Sequence, residues 1–125
     1  MNSNFVVHFE IPVTNMNRAV DFYTKVFNTT LTLEEIDGYH MALFPRSGDL
    51  FGASGALVVG DVYHPSIEGC FIYFAVESID EIFARALSEG KSVLYPKTSL
   101  EEHGYVGEIQ DSEGNRIGLR EPAKQ

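Results

Sequence analysis

The sequence predicts an α+β fold of two βαβββ modules, with curled mixed sheets set around a cavity and the helices outside. Three observations carry that expectation. The stretch from Phe5 to Phe27 reads as an alternating strand, a cap and an amphipathic helix. The stretch from Cys70 to Gly90 repeats the same order. Each is followed by strand-like runs between turn formers, and a polar, turn-rich connection, GDVYHPSIEG, joins the halves.

In the first strand, Phe5, Val7, Phe9, Ile11 and Val13 share one face by the two-residue period, and His8, Glu10 and Pro12 share the other. The odd face is the expected core, and the even face is free for chemistry. Asn15 predicts an N-cap, followed by Met16, Ala19, Val20, Tyr23 and Phe27 at helical spacing and by Asn28 as a left-handed stop. Thr30 to Ile36 and Tyr39 to Phe44 read as strands joined by Asp37 and Gly38, a strong hairpin signal. Pro45 to Gly52 reads as a loop and Ala53 to Val59 as a strand. Module one thus spans about 5–59, the linker 60–69 and module two about 70–121 of a single domain.

In the second half, Cys70 to Val76 is strand-like. Ser78 with Glu81 forms a capping box, and Ile79, Ile82, Phe83, Ala86 and Leu87 share a helical face that Gly90 ends. Strands are expected near Ser92 to Tyr95, Tyr105 to Gln110 and Arg116 to Arg120, the last two joined by the turn from Asp111 to Asn115. Pro122 to Gln125 reads as a frayed tail. Superposing Val13 on Val76 places Met16 on Ile79, Val20 on Phe83, His8 on Phe71 and Glu10 on Tyr73.

Composition bounds the function. Nine basic against eighteen acidic residues leave a net charge of −9, which argues against a nucleic-acid backbone or an anionic membrane as partner. No apolar run approaches the roughly 20 residues that span a bilayer, and a cytoplasmic protein is expected. The single cysteine, Cys70, excludes an internal disulfide; its apolar, strand-like run predicts a buried, inert thiol. Phosphate loops, nucleophile elbows and cysteine pairs are absent from the sequence.

The repeat predicts a pocket lined by His8 and Glu10 from one half and by Phe71 and Tyr73 from the other. His8 and Glu10 lie about 7 Å apart along their strand, so their side chains can converge on one small ligand. A histidine beside a carboxylate can also act as a general base, which makes the pair the catalytic candidates. Lys97, Tyr105 and Arg120 are candidate rim contacts, with Arg120 on the face of Gly118, toward the cavity; Gly107 and Gly118 leave room beside a ligand. His40, His64 and His103 fall on a strand, in the linker and in a loop, at spacings that match no local metal motif.

The runs HFEIPVTNMNRAVDFYTKVF, FAVESIDEIFARALSEG and DSEGNRIGLRE resemble the vicinal-oxygen-chelate superfamily of glyoxalase I, extradiol dioxygenases, and fosfomycin and bleomycin resistance proteins. Within it the chain looks closest to small proteins related to lactoylglutathione lyase. The resemblance implies paired βαβββ modules, commonly in homodimers with the cavity at the module or subunit interface. It also implies, for metal-dependent members, four strand-borne ligands. Carried over, the first falls on His8; the others fall near Gly55 to Leu57, on Phe71 and on Gly118, none of which can ligate. The expectation is therefore a small-molecule-binding protein of this group with no metal or other cofactor. The alternative is a lyase, isomerase or dioxygenase that uses His8 and Glu10 with a divalent metal held in a rearranged site, or as metal-free acid and base.

Overall fold

A computed structural model describes residues 5–46 and 53–124. The elements run β1 (His8–Pro12), α1 (Met16–Phe27), β2 (Thr32–Ile36), β3 (Tyr39–Leu43), β4 (Ser54–Val59), β5 (Tyr73–Ala75), α2 (Ile79–Ser88), β6 (Val93–Ser99), β7 (Tyr105–Gln110) and β8 (Arg116–Glu121). A 3₁₀ turn at Glu101–His103 precedes β7 and has no counterpart in the sequence reading. Most of the expected loop from Pro45 to Gly52 lies outside the described residues.

Local chemistry sets the element ends. Asn15 accepts a hydrogen bond from the Arg18 N–H at 3.0 Å, and Asn28 closes α1 in the left-handed region. Asp37 and Gly38 both take positive φ, +53° and +80°, the two-residue turn whose twist matches the flanking strands. Ser78 caps α2 by accepting from the Glu81 N–H at 3.2 Å, while Glu121 on β8 takes the Ile79 N–H at 2.8 Å.

The strands form two four-stranded sheets, ordered β1-β4-β3-β2 and β5-β8-β7-β6. In each, the strand before the helix lies parallel to the last strand of its half. The helices pack on one side. Ile11, Val13, Leu57, Ile109, Ile117 and Leu119 meet Ala19, Phe22, Tyr23, Val26, Ile79 and Ile82 there in one continuous core. Phe74 ties the halves together, with its ring 4.8 Å from Phe27, 5.4 Å from Phe44 and 5.8 Å from Phe9.

Three expectations are corrected. Phe5 and Val7 are exposed and outside β1, because the parallel ladder with β4 begins only at the His8–Ser54 pair. The strand expected from Cys70 contracts to Tyr73–Ala75, since pairing with β8 begins at Gly118. Cys70 therefore belongs to the connection and is exposed, not buried.

The β7–β8 turn locks the halves. Glu113, its side chain shielded from solvent, accepts from the Thr14 N–H and hydroxyl (2.9 and 3.0 Å), the Asn15 N–H (2.9 Å), and Arg18 Nε and Nη2 (2.7 and 2.9 Å). Asp111, fully buried, accepts from the Tyr23 hydroxyl at 2.6 Å; burial, reinforced by that carboxylate, pushes the Tyr23 phenol well above its usual range. Asn115 donates to the Pro12 carbonyl at 2.8 Å and accepts from the Ser66 N–H at 3.0 Å. Among the described residues, no helix is long and apolar enough to cross a membrane.

Burial alone would raise the Glu113 pKa, but the hydrogen bonds from Arg18, Asn15, Thr14 and Ser112 outweigh it and lower it to about 2 from 4.5. A carboxyl held below its unfolded value stabilises the fold above that value, and the contribution is lost as pH falls from about 4.5 to about 2. Glu113→Gln should cost about 2 kcal/mol at neutral pH. In thermal denaturation across pH, the gap between wild type and variant should close over that acid window.

Candidate functional site

Each sheet turns one face to the helices and the other away from them, and strand register fixes what the second face carries. In the first sheet Glu10 aligns with Ala56 and Leu43, and Pro12 with Val58 and Met41. Met41, Ala56 and Val58 form a small separate core beneath Tyr39, Leu43 and Tyr63. Tyr63, from the connection, packs edge-on against Tyr39 at 5.3 Å and donates its hydroxyl to Glu10 Oε1 at 2.7 Å. That bond to a carboxylate raises the Tyr63 pKa. The other oxygen of Glu10 lies 3.3 Å from His8 Nε2.

In the second sheet the corresponding row is Tyr73, Gly118, Glu108 and Tyr95. A Cβ on Gly118 would come within 2.4 Å of the Tyr73 ring, so only glycine lets that ring lie over β8. Glu108, nearly buried, accepts from Arg116 Nη1 at 2.9 Å, and the Arg116 guanidinium sits 5.3 Å from the centre of the Phe71 ring. Arg116 Nε is buried without a hydrogen-bond partner among the described residues. Between the halves runs a cleft of about 210 Å³, lined by Glu10, His64, Ser66, Glu68, Cys70 and Arg116 among others. Its lining includes Glu10 from β1, Glu68 from the connection and Arg116 from β8.

The structure therefore joins His8 to Glu10, as expected, but distributes the four pocket residues. Glu10 lines the cleft, His8 a recess of about 100 Å³ beside Leu43 and Ser54, and Tyr73 a third hollow with Phe9 and Phe74. Phe71 and Tyr73 are roughly half exposed, at 48% and 43%. Tyr105 is corrected: its odd position puts it with Gly107 on the helix side, packed against the core, with Lys97 Nζ 4.7 Å above its ring. Gly107 makes room for Phe83 and Ile79 rather than for a ligand. Lys97 pairs with Asp80 at 3.2 Å and Glu121 at 3.7 Å. Arg120 shares the Gly118 face, as the repeat implied, and donates to the His103 carbonyl at 3.2 Å. His40 and His103 are exposed beside Glu35 and Glu102, and His64 reaches the cleft.

Sequence reasoning missed Tyr63, Glu108 and Arg116. The last two were recoverable from the turn after Asp111, which pairs Gln110 with Arg116 and so puts Glu108 on the Gly118 face. Tyr63 carried no signal, because nothing local dictates how an irregular connection folds back.

A family profile for the Glyoxalase/Bleomycin resistance protein/Dioxygenase superfamily matches residues 5–119. The chain belongs to that superfamily. No curated protein matches it in sequence. Among solved structures it is similar to TnmS3, an antibiotic-binding protein from a Streptomyces species (23% identity, 98% of this chain and 99% of that one, TM-score 0.68). It is also similar to the fosfomycin resistance protein FosX of Listeria monocytogenes (17%, 98% and 94%, 0.72). A third is the trypanothione-dependent glyoxalase I of Leishmania major (19%, 95% and 87%, 0.70). At these identities the likeness is one of fold.

Of the four positions onto which the resemblance carries the metal ligands of the superfamily's metal-dependent members, His8 alone has a side chain that can ligate. His8 offers an imidazole, but β4 offers Gly55, Ala56 and Leu57, and the remaining positions hold Phe71 and Gly118. Among the described residues no group of three potential ligands converges. The Glu10 carboxylate instead engages Tyr63. Glu10→Gln should let one tyrosine titrate closer to its ordinary value, visible as a lowered tyrosinate midpoint in ultraviolet titration against wild type.

Proposed function

We propose that this protein binds a small organic molecule between its two modules and does so without the superfamily's metal ion. The carrying observation is the placement of Glu10, oriented by Tyr63 and His8, on one wall of a cleft whose other wall holds Arg116 beside Phe71. A ligand with one donor and one acceptor group can bridge Glu10 and Arg116, while its flat apolar part packs on the half-exposed Phe71 ring beside Arg116. Structural neighbours that bind an antibiotic or confer fosfomycin resistance support a ligand-binding role for this scaffold. Phe71, Tyr73 and Tyr95 are more than two-fifths exposed, a surface suited to cover by a second copy, so the working form is a homodimer. The lone cysteine accords with a cytosolic setting.

A second reading rests on the 3.3 Å contact between His8 and Glu10. A carboxylate that fixes the imidazole's orientation prepares it to take a proton, as a metal-free lyase or isomerase requires.

A thermal-shift screen of fosfomycin, bleomycin and planar aromatic antibiotics, with and without a chelator, tests both readings. The binding reading expects a hit that the chelator leaves unchanged. His8→Ala and Glu10→Gln should each weaken that hit about tenfold or more while the unliganded melting temperature stays nearly constant. Turnover of a hit, lost in His8→Ala, would move the protein to the second reading. Chelator-sensitive binding would overturn metal independence.

A further inference from the structure

The first sheet ends on β2, whose five residues, Thr32 to Ile36, are all exposed. Its register against β3 is unbroken from Thr32–Leu43 to Ile36–Tyr39. The two-residue turn makes Ile36 and Tyr39 the hydrogen-bonded closing pair, and antiparallel ladders alternate. Glu34 and Thr32 therefore also bond to β3, while Leu33 and Glu35 turn their backbone N–H and C=O groups to an edge that no strand covers among the described residues. The outer strand of the other sheet, β6, contrasts with it. It carries Pro96 and Lys97, and its register against β7 breaks twice, which are ordinary ways of blunting an edge. β2 has neither proline nor bulge.

The side chains beside this edge are of two kinds. Leu33 is 63% exposed, and with Met16 and Val59 it borders an apolar groove of about 420 Å³ between α1 and the sheet. Glu34, Glu35 and His40 rim the same groove. Glu34 stands opposite Met41 on the other face of the strand. We propose that the β2 edge docks an extended basic segment of another protein by strand addition. Its backbone pairs with Leu33 and Glu35, an apolar side chain opposite Leu33 enters the groove, and lysine or arginine side chains meet Glu34 and Glu35. Charge selects this occupant over a second copy. Antiparallel self-pairing that uses both outward residues sets Glu34 directly against Glu34 of the other copy, which like-charge repulsion opposes.

The test uses the full chain and an end-blocked peptide of order Thr-Val-Lys-Lys-Val-Thr-Val, followed by amide chemical shifts. Saturable binding is expected, stronger at low salt, with the largest shifts at Leu33 and Glu35. The same peptide with glutamate in place of lysine should not bind. Leu33→Pro removes an outward N–H without removing a ladder bond, and the double variant Glu34→Lys/Glu35→Lys reverses the charge. Each should weaken binding about tenfold or more. Absence of binding, equal binding of the glutamate peptide, or affinity retained in both variants overturns the proposal. So does self-association that Leu33→Pro abolishes, which would give the edge to a second copy.

Discussion

The Glu113 carboxylate joins the two halves by drawing the backbone just ahead of α1 and the Arg18 guanidinium onto one turn of the other half. α1 has no acidic residue in its first turn, and the opening N–H groups of any helix are unsatisfied and carry partial positive charge. Glu113, carried on the β7–β8 turn of the other half, brings a negative charge there: it accepts from the Thr14 and Asn15 N–H groups just ahead of the helix and from the Arg18 guanidinium, while Asn15 takes the Arg18 N–H. α2 shows the complementary arrangement, with Asp80 and Glu81 in its own first turn and Glu121 reaching its first N–H. A charge with this many donors and its side chain shielded from solvent has few alternative geometries. The turn that holds it consequently fixes where β1 lies relative to β8.

That placement decides the site. Asp111 and Asn115, on the same turn, fasten Tyr23, Pro12 and Ser66, so β1, α1 and the middle of the connection are all referred to one short loop. Glu10 and Arg116 are then brought to a common cleft although 106 residues separate them in sequence (116 − 10). The connection brings Tyr63 over the first sheet's outer face. There it covers a small apolar cluster and takes one oxygen of Glu10, so that face is partly covered by the protein's own tyrosines, while Tyr73 and Tyr95 on the second sheet are 43% and 42% exposed.

Most of the fold was legible because its signals are local. Asn15, Asn28, Ser78 and the Asp37–Gly38 turn act within four residues of themselves, and the caps and turn they imply are present. The repeated strand-helix order translated directly into two like sheets. Parity also placed His8 with Glu10 and Arg120 with Gly118. It failed where two segments must meet. Phe5 and Val7 continue the alternation but have no strand beside them among the described residues, and Cys70 sits in an apolar run that has not yet reached its partner strand. Tyr105 was assigned to a cavity rim, yet its odd position on β7 turns it to the helices.

By itself, the sequence determined element identity, the two-module order and the superfamily resemblance, because each depends on residue type and short-range spacing. The tertiary structure alone decided the rest. It showed that one glutamate on a turn holds the segment leading into α1 across the chain, that Tyr63 folds back onto Glu10, and that the expected single pocket is divided among a cleft and two hollows. Those outcomes depend on how distant backbones approach one another, and that is governed by the satisfaction of buried polar groups and the close packing of side chains, which no local pattern encodes.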